Sequence, residues 1–348
     1  MAEPGDTDAV VRLLAELHGV GASDRYEWLY VRNPHGKALT WVAVQESSRD
    51  VVGVTSVFPR LISVGGITQV GALGGDCYVL PAVRGQRIAT RLHVATRDGM
   101  ARHGVRVMFG PPLPINLKAL VAAGARVVTE FRRFATVLRV PAGWSSRALV
   151  DGRVQPGAFR LFASAVAAGV GRLSRAIGVP DLGGYSLSSL TAFGSEWDEW
   201  SEATRREFPV TCVRDRRYLT WRYLQSPGRA QEPYAVRHDG RLVGLVALEQ
   251  SEGRCRIVDL FVGRSPQTIR AALALAVLKA AEHECHTVDF WCTEFPGHRR
   301  ELGGVGFFRR DARAPWKFQV LHAGGTVPDT LLEGRRNWYF TYGDQDVN

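Results

Sequence analysis

The sequence has little of what would mark a disulfide scaffold, a zinc site or a membrane protein. Its 348 residues include five cysteines, Cys77, Cys212, Cys255, Cys285 and Cys292, and no CxxC pair. An odd, scattered set of this kind reads as reduced thiols. His283-Glu284-Cys285-His286, with Cys292 beyond, has ligand-type residues but no second close pair, so it reads as structural and no metal is expected. Lysine is scarce: of 44 basic residues only Lys37, Lys118, Lys279 and Lys317 are lysines. The net charge of +10 is therefore carried by arginines spread along the chain, with short clusters such as Arg132–Arg133 and Arg309–Arg310. That pattern fits a solvated surface better than a nucleic-acid face, although arginine forks suit a phosphate ligand. No apolar run approaches the roughly 18 residues a spanning helix needs. The first twenty residues carry acids where a secretory signal carries bases, and their apolar positions recur at helical spacing. They read as the first helix of a cytoplasmic protein. Hydrophobic residues at 45% and charged ones at 22% are ordinary for a globular chain, and the length suggests two domains.

The strongest internal signal is a repeat. Trp28, Tyr30, Pro34 and Trp41 meet Trp221, Tyr223, Pro227 and Tyr234 at a constant offset of 193. Val52-Gly53-Val54 then meets Val243-Gly244-Leu245 at 191, and Val105–Phe109 meets Thr287–Trp291 at 182, as does Gly124 with Gly306. An ordered series with one localised shortening, near the Gly65-Gly66 hairpin, argues for two copies of one fold.

Each copy reads as an opening helix, a Trp-rich helix, antiparallel strands, a central strand (77–80; 257–262), a loop, a long helix (88–103; 267–283), an apolar strand, a shorter helix (116–123; 298–303) and a closing strand pair. This is an α/β (α+β) pattern: a mixed central sheet with helices on both faces, twice over. The boundaries read as 1–140 for the first copy, 141–193 for a connecting helical segment and 194–348 for the second copy. Within the connector, Ala158 to Ile177 has a helical pattern suited to interdomain packing.

Chemistry concentrates at Val79-Leu80-Pro81-Ala82-Val83-Arg84-Gly85-Gln86-Arg87-Ile88-Ala89-Thr90. A strand ends, a short basic loop follows and a helix begins with small residues. Free N–H groups at a helix start, aided by the helix dipole, bind phosphate oxygens.

This stretch resembles the acyl-CoA loop of the Gcn5-related N-acetyltransferase (GNAT) family, Val-x-Pro-x-x-Arg-Gly-x-Gly-Ile-Gly/Ala, with Arg87 where the family has its first loop glycine. Asn116-x-x-Ala119 and Gly124 resemble the family's next helix-to-strand passage, in which Val121-Ala122-Ala123 stands where a general-acid tyrosine is common. The second copy carries Pro266 at the position of Arg84 and no loop glycine, which implies a degenerate site there. The whole chain thus resembles a tandem GNAT. The resemblance implies transfer of an acyl group, most often acetyl, from acetyl-CoA or another acyl-CoA to a small-molecule amine such as an amino sugar, an amino acid or a natural-product intermediate. Val79, Leu80, Arg84, Gly85, Gln86, Arg87, Ile88, Ala89, Thr90 and Asn116 would hold the donor. Asp76 and Tyr78, on one face of the strand, are candidates for the base, as is the terminal carboxylate of Asn348. Trp28, Tyr30, Asp344 and Asp346 are candidates for binding the acceptor. Two other readings share the fold: an aminoacyl-tRNA-dependent transferase of the Fem type, with charged tRNA as partner, and a non-catalytic CoA-binding protein.

Overall fold

A computed structural model describes residues 1–19, 21–138, 182–228, 231–293, 298–310, 316–324 and 329–345. The expected helix at 158–177 and the residues Asp346 and Asn348 lie outside the described residues. No helix among the described residues is long and apolar enough to cross a membrane.

The first copy opens with α1 (Thr7–His18), whose buried Val10, Leu13 and Leu14 recur at i, i+3, i+4 spacing. Next comes α2 (Ala22–Tyr26), which runs into a π-helical turn at Glu27–Val31. Strands β1 (Leu39–Val44), β2 (Val51–Val64) and β3 (Ile67–Val79) form an antiparallel meander, turned at Gly65-Gly66 with both glycines at positive φ. The sequence pattern reads as separate strands at 51–58, 61–64, 67–72 and 77–80; these are continuous here as β2 and β3. Pro59 sits inside β2, where its carbonyl points away from β3 and accepts from Asn33 Nδ2 at 3.0 Å. A proline is tolerated because no ladder N–H is needed on that side. Then come α3 (Ile88–Met100), β4 (Val107–Gly110), α4 (Pro114–Ala122) and β5 (Arg126–Val137).

The second copy begins with β6 (Tyr185–Ser189), which pairs with β8 (Gln231–His238) and so belongs to this sheet rather than to a connector. Between them lie α5 (Glu196–Arg205), β7 (Val210–Cys212) and α6 (Arg216–Leu219), the last running into a π-helical turn at Thr220–Leu224, 193 residues after the first. Strands β9 (Arg241–Ser251) and β10 (Arg254–Val262), helix α7 (Pro266–Glu282), β11 (Thr287–Thr293), α8 (His298–Gly304), β12 (Phe308–Arg309) and β13 (Trp316–His322) repeat the first copy's order. Short α9 (Thr330–Glu333) and β14 (Trp338–Tyr339) close the chain.

Among the described residues, one 14-stranded mixed sheet runs through both copies. Its central order is β3-β4-β13-β5-β11-β10, so the closing strands are exchanged: β13 pairs with β4 of the first copy, and β5 pairs with β11 of the second. A shared core joins the halves, packing Val54 and Phe58 of β2 with Leu245 of β9 and Val258 of β10 around Trp28, Trp197 and Trp221. On the other face α3 lies over β1 and β2, with Leu92 and Met100 against Trp41 and Val57. Gly99 allows this approach, since a Cβ there would meet the Trp41 ring at 2.9 Å.

Candidate active site

Strands β3 and β4 run parallel but pair only at Ala72↔Met108 and Leu73↔Phe109. Beyond Leu73 they part, and β3 continues to Val79 with its β4-facing edge open. Within this stretch β3 carries a bulge: Ser56↔Gly75 and Val54↔Tyr78 leave Asp76 and Cys77 opposite Thr55, with Asp76 at φ +50°. The N–H of Leu80 donates to Val52 O at 3.0 Å. Strand alternation therefore turns the amide of Val79 away from β2, toward the parting. Its carbonyl, on the same side, accepts from Arg84 Nε at 2.9 Å.

A cleft of about 350 Å³ opens where α3 begins, between the loop and α4. Val79, Arg84, Gly85, Arg87, Ile88, Ala89 and Thr90 line it from one side, Ile115, Lys118 and Ala119 from the other. Gly85 turns the loop at φ +85°, and a Cβ there would meet nothing within 4 Å. Arg87, at the position of the family's glycine, adopts the left-handed conformation a glycine would, at φ +58° and ψ +22°. Keeping that conformation with a side chain costs about 1–2 kcal/mol. The first intrahelical bond runs from Arg91 N–H to Arg87 O at 3.0 Å, and no side chain caps the helix. The amides of Ile88, Ala89 and Thr90 precede that bond and lack an intrahelical acceptor. Free donors, a helix dipole and three cations (Arg84, Arg87, Lys118) thus converge on one opening, an arrangement suited to a diphosphate.

Leu80, Gln86 and Asn116 are not among the residues lining this cleft. Leu80 is engaged at both backbone groups, its carbonyl accepting from Val83 N–H at 3.1 Å, so it has no free donor to offer a thioester. Gln86 faces a separate cleft between α3 and Gln45–Ser47. The Oδ1 of Asn116 is 2.9 Å from His93 Nε2, tying α4 to α3.

Asp76 is buried beneath α1 and α2. Arg25 grips its carboxylate at 2.6 and 3.1 Å, Tyr30 OH donates at 2.8 Å and His18 Nε2 lies at 2.9 Å. Burial pushes its pKa up, but the bonds from His18 and Arg25 outweigh burial and hold it below the ordinary value. So tightly held an anion is a weak base. Tyr78 lies on the same face and donates to Glu16 at 2.7 Å, a bond that raises its pKa. Cys77 is pushed up to about 11 by burial, which leaves a neutral thiol of little nucleophilicity.

The acceptor candidates are enclosed. Trp28 and Tyr30 belong to the shared core. Asp344 does fold back between the copies, but Arg60 Nη2 at 3.2 Å and Arg214 Nη2 at 2.6 Å take its two oxygens in the interior. It is a structural anion with no face open to a cationic ligand.

In the second copy, β10 and β11 part after Ile257↔Phe290, and the chain's own C-terminal stretch fills the gap. Thr341 bridges to Cys292, Thr293 N–H donates to Phe340 O at 2.9 Å, and Tyr339 OH donates to Leu260 O. Fewer donors are open at the start of α7: Arg264 N–H is taken by Glu207 at 2.6 Å and Thr268 N–H by Ser265, while Pro266 has none.

Sequence reasoning missed His18, Arg25 and Lys118. Lys118 carried a faint signal, falling two residues after Asn116 in the resembling passage; His18 and Arg25 carried none, because their partner is more than fifty residues away.

No family profile and no curated protein matches this sequence. Solved structures do. A GCN5-related N-acetyltransferase from Anabaena variabilis superimposes with a TM-score of 0.64 at 11% identity, over 92% of this chain and 71% of its own. The Saccharomyces cerevisiae N-myristoyltransferase, solved with myristoyl-CoA, gives 0.56 at 12% identity, over 92% and 80%. A tandem GNAT protein from the clavulanic acid biosynthesis pathway gives 0.51 at 18% identity, over 92% and 97%. The chain has the fold of the GCN5-related N-acetyltransferases, in tandem form.

Proposed function

We propose that this protein is an acyl-CoA-dependent N-acyltransferase, with acetyl-CoA as its first candidate donor, acting on the amine of a small molecule such as an amino sugar, an amino acid or a natural-product intermediate. The observation that carries this reading is the cleft at the start of α3, where unbonded amides and three cations meet the open edge of β3. The diphosphate of the donor would lie against Ile88–Thr90 and the side chains of Arg84, Arg87 and Lys118. The acyl arm would follow Val79 into the parting. There the Val79 amide is directed at the thioester carbonyl, whose oxygen gains negative charge as the amine attacks. Holding both reactants in one crevice supplies much of the rate. No side chain need form an acyl intermediate, in keeping with the neutral Cys77.

Thermal-shift and calorimetric titrations test this reading directly. Acetyl-CoA is expected to raise the melting temperature and bind one site per chain. Dephospho-CoA and desulfo-CoA locate the contribution of each end of the donor. Stabilisation by aminoacyl-tRNA alone would favour the Fem-type reading, and acetyl-CoA binding with no turnover of any amine would favour a CoA-binding protein.

A further inference from the structure

We propose that His18 is the general base of acyl transfer, oriented by Asp76, which acts as a positioning residue; the assignment rests on the acyltransferase reading above. His18 ends α1, and its side chain keeps 23% of its surface exposed while its Nε2 lies 2.9 Å from Asp76 Oδ1. Arg25 and Tyr30 fix the Asp76 carboxylate as an anion. An anion at Nε2 selects the tautomer with its proton there, which leaves the lone pair on Nδ1. The charged and titratable groups around the imidazole are Asp76 and Tyr78 from β3, Arg25 from α2, Tyr30 from the π-turn and Glu16 from α1 itself, the last bonded to Tyr78.

Position supports the role. Asp76 sits at the bulge where β3 has just left β4, three residues from Val79, or about 10 Å of strand. His18 reaches that bulge from the α1 side, whereas the donor cleft opens at the start of α3. The second copy provides an internal comparison. Tyr223 OH donates to Asp259 at 3.0 Å at the matching bulge of β10, repeating Tyr30 and Asp76. There the other partners are the fully enclosed Arg214, bonded to Asp259 at 2.9 and 3.1 Å, and the buried Thr341, whose hydroxyl donates to it at 2.8 Å. Only the copy with the open cleft sets a partly exposed imidazole on its bulge aspartate.

In the step itself the amine nitrogen attacks the thioester carbonyl carbon, forming the C–N bond. Its proton passes to His18 Nδ1, the C–S bond breaks, and the electron pair leaves on sulfur. The thiolate then takes that proton from the imidazolium, directly or through a water, giving amide, free CoA thiol and neutral His18.

The test uses the full chain and acetyl-CoA, following thiol release with amino acids, amino sugars and polyamines, and with water as acceptor. His18→Gln is expected to lower kcat/KM by about 10²–10³-fold, with acetyl-CoA affinity by calorimetry unchanged within about twofold, the scatter allowed for groups outside the donor site. His18→Ala is expected to behave likewise and to regain part of its rate when imidazole is added, which a packing role would not allow. Turnover in His18→Gln within threefold of wild type overturns the assignment, as does a large loss of acetyl-CoA affinity. Wild-type protein that binds acetyl-CoA but releases no thiol with any acceptor overturns it too. Wild-type protein that fails to bind acetyl-CoA identifies the acyltransferase reading as the part at fault and removes the assignment with it.

Discussion

Trp28 and Trp221 stack with ring centroids 4.3 Å apart and planes 10° from parallel, and each indole Nε1–H donates to the other's backbone oxygen at 3.1 Å. The two residues stand 193 positions apart and occupy equivalent places on equivalent π-turns. Their reciprocal bonds are the local sign of a pseudo-twofold relation between the copies, and they lie at the centre of the shared core.

Trp28→Ala removes that stack and deprives the Trp221 carbonyl of its indole donor. A buried aromatic truncation costs about 3–5 kcal/mol. Because the sheet is continuous and the closing strands are exchanged, the loss is expected to be felt by both copies in one transition. Urea titration followed by far-UV circular dichroism and tryptophan fluorescence checks this; two separated midpoints would show that the copies unfold independently.

The loop offers a separation of strain from binding. Arg87→Gly should raise stability by up to about 1 kcal/mol, because glycine occupies the left-handed region freely. The same change removes a cation from the cleft and is expected to weaken acetyl-CoA binding several-fold, with a shallower salt dependence. Ala89→Trp should abolish binding outright by filling the cleft while the melting temperature stays near wild type. Calorimetry at two ionic strengths reads both effects.

Substitution at the second copy's loop should leave the donor untouched. Gln267→Trp, at the start of α7, is expected to keep acetyl-CoA affinity within about twofold, since a change remote from a site adds little to its energetics. The amides of Arg264 and Thr268 are already bonded there, Pro266 has none, and the parting is filled by the C-terminal stretch around Tyr339–Thr341. A large loss of affinity would move the site to the second copy.

Acid should unfold the protein in two stages. His298, stacked on Tyr339, is held neutral by burial, with the Arg264 guanidinium adding to it, and its pKa falls to about 4. Burial also lowers His35 and His93. With folded values below the unfolded one, these histidines bind protons first in the unfolded chain. Stability is therefore whole above about pH 6.5 and falls as pH drops from there, with His298 alone contributing a loss of about 3 kcal/mol by pH 4. Asp76 and Asp259 then add a second loss. Burial raises both, but their partners outweigh it: His18 and Arg25 for Asp76, Arg214 and Thr341 for Asp259. Stability from these carboxylates is present above about pH 4 and disappears as pH falls through their lower folded values. Urea midpoints at pH 8, 6 and 5 measure the first stage, and His298→Gln should flatten it; equal midpoints across that range would remove the histidines as its cause.

Much of the architecture was legible in the sequence because duplication leaves its trace in spacing. The constant offset of Trp28 and Tyr30 from Trp221 and Tyr223 located the two copies, and the Pro81–Thr90 passage located the cleft, because a glycine turn followed by small helix-starting residues is a local pattern. Strand continuity was harder to see. Pro59 looks like a strand breaker until Asn33 is found at its carbonyl, and Asp76–Cys77 looks like regular strand until its register with Thr55 is known.

By itself the sequence determined where the main helices lie, that there are two copies, and which copy's loop joins a glycine turn to small helix-starting residues. These follow from periodicity, turn residues and helix starts, all properties of neighbours in the chain. Tertiary structure alone decided that β5 and β13 trade places, that the C-terminal stretch fills the second copy's gap, and that Asp344 is sealed between Arg60 and Arg214. It also decided that Asp76 is buried against His18, Arg25 and Tyr30. Each depends on charges, strand edges or side chains brought together across dozens to hundreds of residues, where the energy of a contact leaves no mark on local spacing.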